Sequence, residues 1–203
     1  MSDAAVTREA RLRARGEVYH WLSAAFAQPE AEILDPEFFR LGREAFAKAY
    51  PAMDLAGFDV LAETWAVPDP ARLLVLQREY TRLFIGPAQA SVRPYESCYF
   101  GEDKIMTART QAVHALYAQS GVVFDGQRGT ELPDHVAVEL LFLAFVYSGD
   151  TGHTPDESLA IAQAFLQEHA GQWMPAFAAQ VIAATKQPFY RVAAELLKTV
   201  VSA

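Results

Sequence analysis

Three side chains able to hold a ligand or move a proton crowd into one stretch, Pro133-Asp134-His135-Val136-Ala137-Val138-Glu139. On a helix His135 and Glu139 share a face, because residues four apart are neighbours. The trio could bind a metal, with Asp134 as third ligand. It could be an acid–base centre around His135, or Asp134 and His135 could hydrogen-bond a bound peptide. It could equally be an Asp at a proline-led helix start beside a surface His–Glu pair. Metal binding has the least support: there is no His-x-x-x-His or Glu-x-x-His cluster, and His20, His114, His153 and His169 share no ligand spacing. A nucleophile has little support either. Ser97 lies in Tyr-Glu-Ser-Cys-Tyr rather than Gly-x-Ser-x-Gly, and Cys98, the sole cysteine, has no activating neighbour in sequence. Phosphate-loop and dinucleotide glycine motifs are missing as well, so no cofactor is expected.

A second constellation runs Tyr80-Thr81-Arg82-Leu83-Phe84-Ile85-Gly86-Pro87 and resumes at Pro94-Tyr95-Glu96-Ser97-Cys98-Tyr99. An apolar helix stops at Gly86 and releases a loop rich in proline and tyrosine. Such rings suit peptide contact, since they bury large area at small entropic cost and carry a hydroxyl. Apolar periodicity more often marks core, and then Leu83 and Phe84 pack inside while Tyr95 and Tyr99 pin the loop.

The elements that must position these residues read almost entirely as helix. Asp35-Pro36, Asp69-Pro70 and Thr154-Pro155 each set a capping oxygen before a proline at the first helical position, and Glu157 completes a capping box. Gly86, Gly121 and Gly149 mark ends. The expected helices are 6–27, 36–49, 54–65, 70–85, 102–120, 134–148, 155–170, 172–186 and 189–201. Val122-Val123-Phe124 is the only candidate strand, too short to build a sheet. Residues 86–101 form the longest irregular stretch and 124–133 a second one, and loops of that length in a compact domain are usually functional or disordered. Phe165, His169, Trp173, Phe177, Phe189 and Tyr190 fall on helices and read as packing residues. Arg8, Arg11, Arg13 and Arg15 read as a solvated helix face.

The 203 residues are 52% hydrophobic and 21% charged, with a net charge of −8. That excludes a disordered chain and disfavours nucleic-acid binding, which needs a basic surface. No stretch has the roughly 18 uninterrupted apolar residues of a membrane span, and the start lacks the pattern of a signal peptide. The expectation is one all-α domain over 1–203, a helical bundle of about nine helices, in the cytoplasm.

Taken together, Glu79-Tyr80-Thr81-Arg82-Leu83-Phe84-Ile85-Gly86-Pro87, Pro94-Tyr95-Glu96-Ser97-x-Tyr99, Pro133-Asp134-His135-x-x-x-Glu139 and Gln187-Pro188-Phe189-Tyr190-Arg191 resemble the TorD/DmsD family. These are cytoplasmic chaperones of molybdenum-dependent oxidoreductases, with the NarJ group more distant. The resemblance covers about Tyr19 to Val200. It implies an all-α, non-enzymatic chaperone. Its partners would be a twin-arginine signal peptide and the apo-oxidoreductase, held back from export until the cofactor is inserted. The implied peptide-binding residues are Tyr80, Leu83, Phe84, Gly86, Pro87, Pro94, Tyr95, Glu96, Ser97, Asp134 and His135, with Tyr19 a looser match. In that picture Glu96 and Asp134 meet the signal arginines, Leu83, Phe84, Pro94 and Tyr95 line an apolar wall, and His135 orients Asp134 or bonds the peptide. Some relatives have Trp-Gly-Ser where this chain has Tyr95-Glu96-Ser97, so the client is not specified. The loop 86–101 could act as a hinge for a domain-swapped homodimer. Two other readings compete: an enzyme using Asp134, His135 and Glu139, and a helical DNA-binding regulator.

Overall fold

Proline-led caps start the helices where the sequence places them. In the computed structural model the Asp35 carboxylate accepts from the Glu37 amide at 2.9 Å and Asp69 from Ala71 at 2.9 Å. Thr154 and Glu157 close a reciprocal capping box. The structure describes residues 3–65, 67, 69–86, 90–101, 104–123, 131–149 and 152–202, with side chains from residue 7 onward.

The helices are α1 (Asp3–Phe26), α2 (Pro36–Ala49), α3 (Ala56–Trp65), α4 (Pro70–Tyr80), α5 (Ala108–Gln119), α6 (Val136–Ser148), α7 (Pro155–Phe165), α8 (Gly171–Ala184) and α9 (Pro188–Val201). Two differences from the sequence reading stand out. Helix α5 starts at Ala108 rather than 102, because Thr107 and Thr110 form a second capping box that sets the start. And α7 runs into α8 through a π-turn, Leu166–Ala170, while a second π-turn, Thr81–Ile85, ends α4. Among the described residues there is no strand. Val122 and Val123 have no regular structure, Phe124 lies outside the described residues, and the only β-type pairing is an isolated bridge between Tyr95 and His135.

Helix α1 is the centre of the bundle. It packs chiefly on α6 and α2, and also touches α9; α8 and α9 form a hairpin. Ser23 Oγ donates to the Ala137 carbonyl at 2.7 Å, while Gly16 lies against Ala144 and Ser148, so α1 and α6 run antiparallel. Val18, Leu22, Ala25 and Phe26 of α1 are buried. Trp21 sits among Phe38, Phe46, Phe58 and Phe189, and Phe84 among Phe26, Tyr80, Phe177 and Tyr190. The aromatic residues Phe177, Phe189 and Tyr190, read from sequence as packing, are fully buried.

The α7–α8 π-turn gives a prediction of sign. A Cβ on Gly171 would lie 2.4 Å from the Leu166 carbonyl oxygen, which the wide turn brings under it. A Cβ on Gly57 would meet only Val192 at 3.7 Å, an ordinary contact. Gly171→Ala should therefore lower stability by about 1–3 kcal/mol, the cost of overpacking. Gly57→Ala should be neutral or stabilising by up to about 1 kcal/mol through helix propensity. Urea unfolding of both variants checks the pair; equal effects would show that the π-turn yields freely.

Candidate functional site

The π-turn at 81–85 ends on Gly86, whose φ of 65° and ψ of 156° belong to glycine alone. The chain then turns back across its own helix end: the Val92 amide donates to the Leu83 carbonyl at 2.8 Å and Ser91 Oγ to the Arg82 carbonyl. From there it pairs with the start of α6. The Val136 amide donates to the Pro94 carbonyl at 2.8 Å and the Glu96 amide to the Asp134 carbonyl at 2.9 Å. The two motifs read separately from the sequence thus meet, backbone to backbone.

Side chains complete the joint. His135, not Asp134, caps α6: its Nδ1 accepts from the Ala137 amide at 3.2 Å. An accepting Nδ1 means a neutral ring with its proton on Nε2, the nitrogen that faces Glu131 at 3.6 Å. Burial holds His135 down to a pKa of about 4 against the ordinary 6.5. Asp134 Oδ2 instead accepts from the Ser97 amide at 3.0 Å. The Tyr95 ring packs edge-on to His135 and its hydroxyl donates to Glu131 at 2.9 Å.

Beneath this joint lies a buried acidic cluster. Glu96, Asp134 and Glu139 are each 0% exposed. His169 Nδ1 sits 3.0 Å from Glu96, and Arg109 Nη1 3.4 Å from it. Trp173 Nε1 donates to Glu139 Oε2 at 3.0 Å. Burial, and then the adjacent Glu96 charge, push the Glu139 carboxyl well up. Tyr117, its hydroxyl on the Pro133 carbonyl at 2.9 Å, closes the floor. Placing three acids inside a core is costly unless each is bonded. The bonds made here fix the loop, the start of α6 and the α7–α8 turn against one another.

The structure thus brings together Pro94, Tyr95, Glu96, Ser97, Asp134 and His135. Tyr80 stands at the edge of this group, near enough to Glu131 for its charge to act on it. Leu83 and Phe84 lie in the core, 0% and 6% exposed, rather than on a surface wall. Tyr19 stacks on Tyr147 at 5.6 Å. Pro87 is outside the described residues. Glu96 and Asp134, expected to contact signal-peptide arginines, are interior and already bonded. His135 and Glu139 form no pair, since each is engaged elsewhere, and no group of three potential metal ligands occurs among the described residues.

The sequence reading missed three participants. His169 and Trp173 were assigned to packing alone, yet both are polar-tipped residues four apart that face the acids. Arg109 carried no signal. It also missed a groove of about 710 Å³ whose floor is α1 and whose walls are α2 and α6. Leu41, Leu141 and Phe145 line it at 51%, 49% and 38% exposure. The signal was present: α6 is apolar on every face, and an all-apolar helix must be covered all round.

Comparison with known proteins gives a consistent result. The sequence model described as nitrate reductase delta subunit matches residues 47–179, more than half of the chain. A chaperone protein TorD of Vibrio cholerae is 26% identical over 201 residues, covering 90% of this chain and 86% of that protein. TorD of Vibrio vulnificus is 27% identical over 192 residues, covering 90% and 89%. A solved structure from Archaeoglobus fulgidus, described as a candidate redox enzyme maturation protein, shares the fold with a TM-score of 0.65 at 22% identity over 93% of this chain and 94% of that one. On the sequence-model match the chain belongs to the nitrate reductase delta subunit family, in the TorD-like group of maturation chaperones.

Proposed function

We propose that the protein is a cytoplasmic chaperone that holds the twin-arginine signal segment, and with it the apo form, of a molybdenum-dependent oxidoreductase until the cofactor is in place. The observation that carries this reading is the joint itself. Residues 94–97 and 134–135, the positions that match the family, form one bonded unit around buried carboxylates. The net charge of −8 supports it, since an acidic protein attracts a basic segment and raises its on-rate. The exposed apolar groove along α1 supports it too, being the kind of surface an apolar helical segment covers. The expected Leu83–Phe84 wall does not serve that purpose, because those side chains are spent on the core.

The test is calorimetric titration of the full chain with synthetic signal peptides from the molybdoenzymes of the source organism, each with an Arg-Arg to Lys-Lys control. One peptide should bind, and its control should bind at least tenfold more weakly, since a lysine cannot reproduce the planar two-pronged bond of a guanidinium. Equal binding of peptide and control would overturn the assignment of the arginines to the acidic cluster. Silence across the panel, together with failure to retain an apo-oxidoreductase in a pull-down, would overturn the chaperone reading.

A further inference from the structure

The acidic cluster already holds a guanidinium. Arg109, in the first turn of α5, brings Nη1 to 3.4 Å from the buried Glu96, while its side chain is 32% exposed. It is the one cationic side chain bridging Glu96 and solvent among the described residues. Its guanidinium centre lies 3.8 Å from the centroid of the Phe100 ring, which is itself 42% exposed. Arg109 and Phe100 thus form a cover over Glu96.

The cover fits loosely. A charge-assisted guanidinium–carboxylate bond closes to about 2.7–2.9 Å and is usually two-pronged. Arg109 reaches Glu96 through a single longer contact, and the same Nη1 is shared with the Glu168 carbonyl at 3.3 Å. Beside Glu96, meanwhile, Ser97 Oγ and Asp134 Oδ1 are buried atoms without a hydrogen-bond partner, on side chains 2% and 0% exposed. A guanidinium carries five N–H donors. The cluster therefore offers more acceptor capacity than its resident arginine uses. The cover also stands on a segment that is itself strained: Met106, just before the α5 cap, has a φ of 60°.

We infer that Arg109 is an internal stand-in for an arginine of the bound partner, covering Glu96 in the free protein and displaced when a partner's guanidinium takes its place. The site's ligand class is thus a guanidinium on a flexible segment. The identification of that segment with a signal peptide rests on the function proposed above. Self-occupancy weakens partner binding by the fraction of molecules that are open. If the cover is closed in about ten molecules for each open one, its removal tightens binding about tenfold.

The experiment uses the full chain as wild type, Arg109→Ala, Arg109→Gln and Arg109→Ala with Glu96→Gln. Methylguanidinium at millimolar concentration is the first probe, with methylammonium as control, read by thermal unfolding. It should raise the Tm of Arg109→Ala and Arg109→Gln by several degrees and leave wild type and the Glu96→Gln double variant unmoved. Methylammonium should do much less. The second probe is the Arg-Arg signal peptide by calorimetry, expected about tenfold tighter on Arg109→Ala than on wild type. No Tm response in either single variant overturns the inference, as does a peptide that binds wild type and Arg109→Ala equally. A guanidinium response without any peptide binding supports the stand-in while removing the signal-peptide reading, so the two failures are distinguishable. Should Arg109→Ala not fold, Arg109→Gln carries both arms, because it keeps a side chain of similar reach over Phe100.

Discussion

Replacing Glu79 with alanine is expected to cost about 1–3 kcal/mol, the cost of leaving buried donors without their acceptor. Glu79 is 6% exposed and joins α4 to the turn between α8 and α9. Its carboxylate takes both Nε and Nη2 of Arg82 at 2.8 Å, the Lys186 amide at 2.6 Å and the Thr185 hydroxyl at 3.0 Å. Alanine removes this acceptor from all of them, although Arg82 Nη2 keeps the Ala184 carbonyl and the Thr185 hydroxyl keeps the Gln187 carbonyl. The bonds to Arg82, foremost, hold the carboxyl down to a pKa of about 2. Chemical unfolding of Glu79→Ala, Arg82→Ala and the double variant forms a cycle that isolates the pair. The double variant should be less damaged than the sum of the singles. A Glu79→Ala cost under about 1 kcal/mol would show that water replaces these bonds freely.

The second large effect is a loss of stability on acidification, through His135. Its folded-state pKa of about 4 lies below the ordinary 6.5. The unfolded chain therefore binds the proton first, and stability is fully present above pH 6.5 and drains away as pH falls through 4. That gap corresponds to about 3 kcal/mol. The mechanism is local, because the proton must enter at Nδ1, the atom that caps α6. Glu79 adds a second step, its contribution present above about pH 4.5 and lost as pH falls toward 2. Glu139 works in the opposite direction: its raised pKa means stability is lost as pH rises above 4.5. His135→Asn supplies a capping oxygen in place of Nδ1 but cannot titrate. Its stability measured by urea unfolding should rise as pH falls from 7 to 5, because the Glu139 gain remains and the His135 loss is gone, whereas in wild type the two oppose each other. Parallel slopes would assign the acid step elsewhere.

How far the sequence foretold this molecule depends on the range of the forces involved. The caps at Asp35, Asp69 and Thr154 are decided within four residues, and those helix starts are where the sequence puts them. The start of α5 at Ala108 rests on an equally local signal, Thr107 with Thr110, which the expected span 102–120 did not use. The π-turns, in contrast, are set by tertiary packing and leave no periodic trace. The site shows the same division. Motif order placed Tyr95 to Ser97 and Asp134–His135 in one functional unit, and the backbone bridge joins them. Burial was not legible, since an Asp or Glu reads as surface until its partners are known. Glu96 depends on His169 and Arg109, 73 and 13 positions along the chain, and neither pairing follows from spacing. For the same reason, alanine at Glu96, Asp134 and His135 alters the fold as well as the site.

The central place of α1 has a consequence in time. Its buried face is covered chiefly by α6, which starts about 110 residues after α1 ends. At a synthesis rate of about 5–20 residues per second, that interval is roughly 5–20 s. During it, Val18, Leu22, Ala25 and Phe26 have left the ribosome with no native partner to receive most of their surface. A chain proposed to shelter another's unfinished state thus passes, during its own synthesis, through a period in which its first helix is the segment that needs shelter.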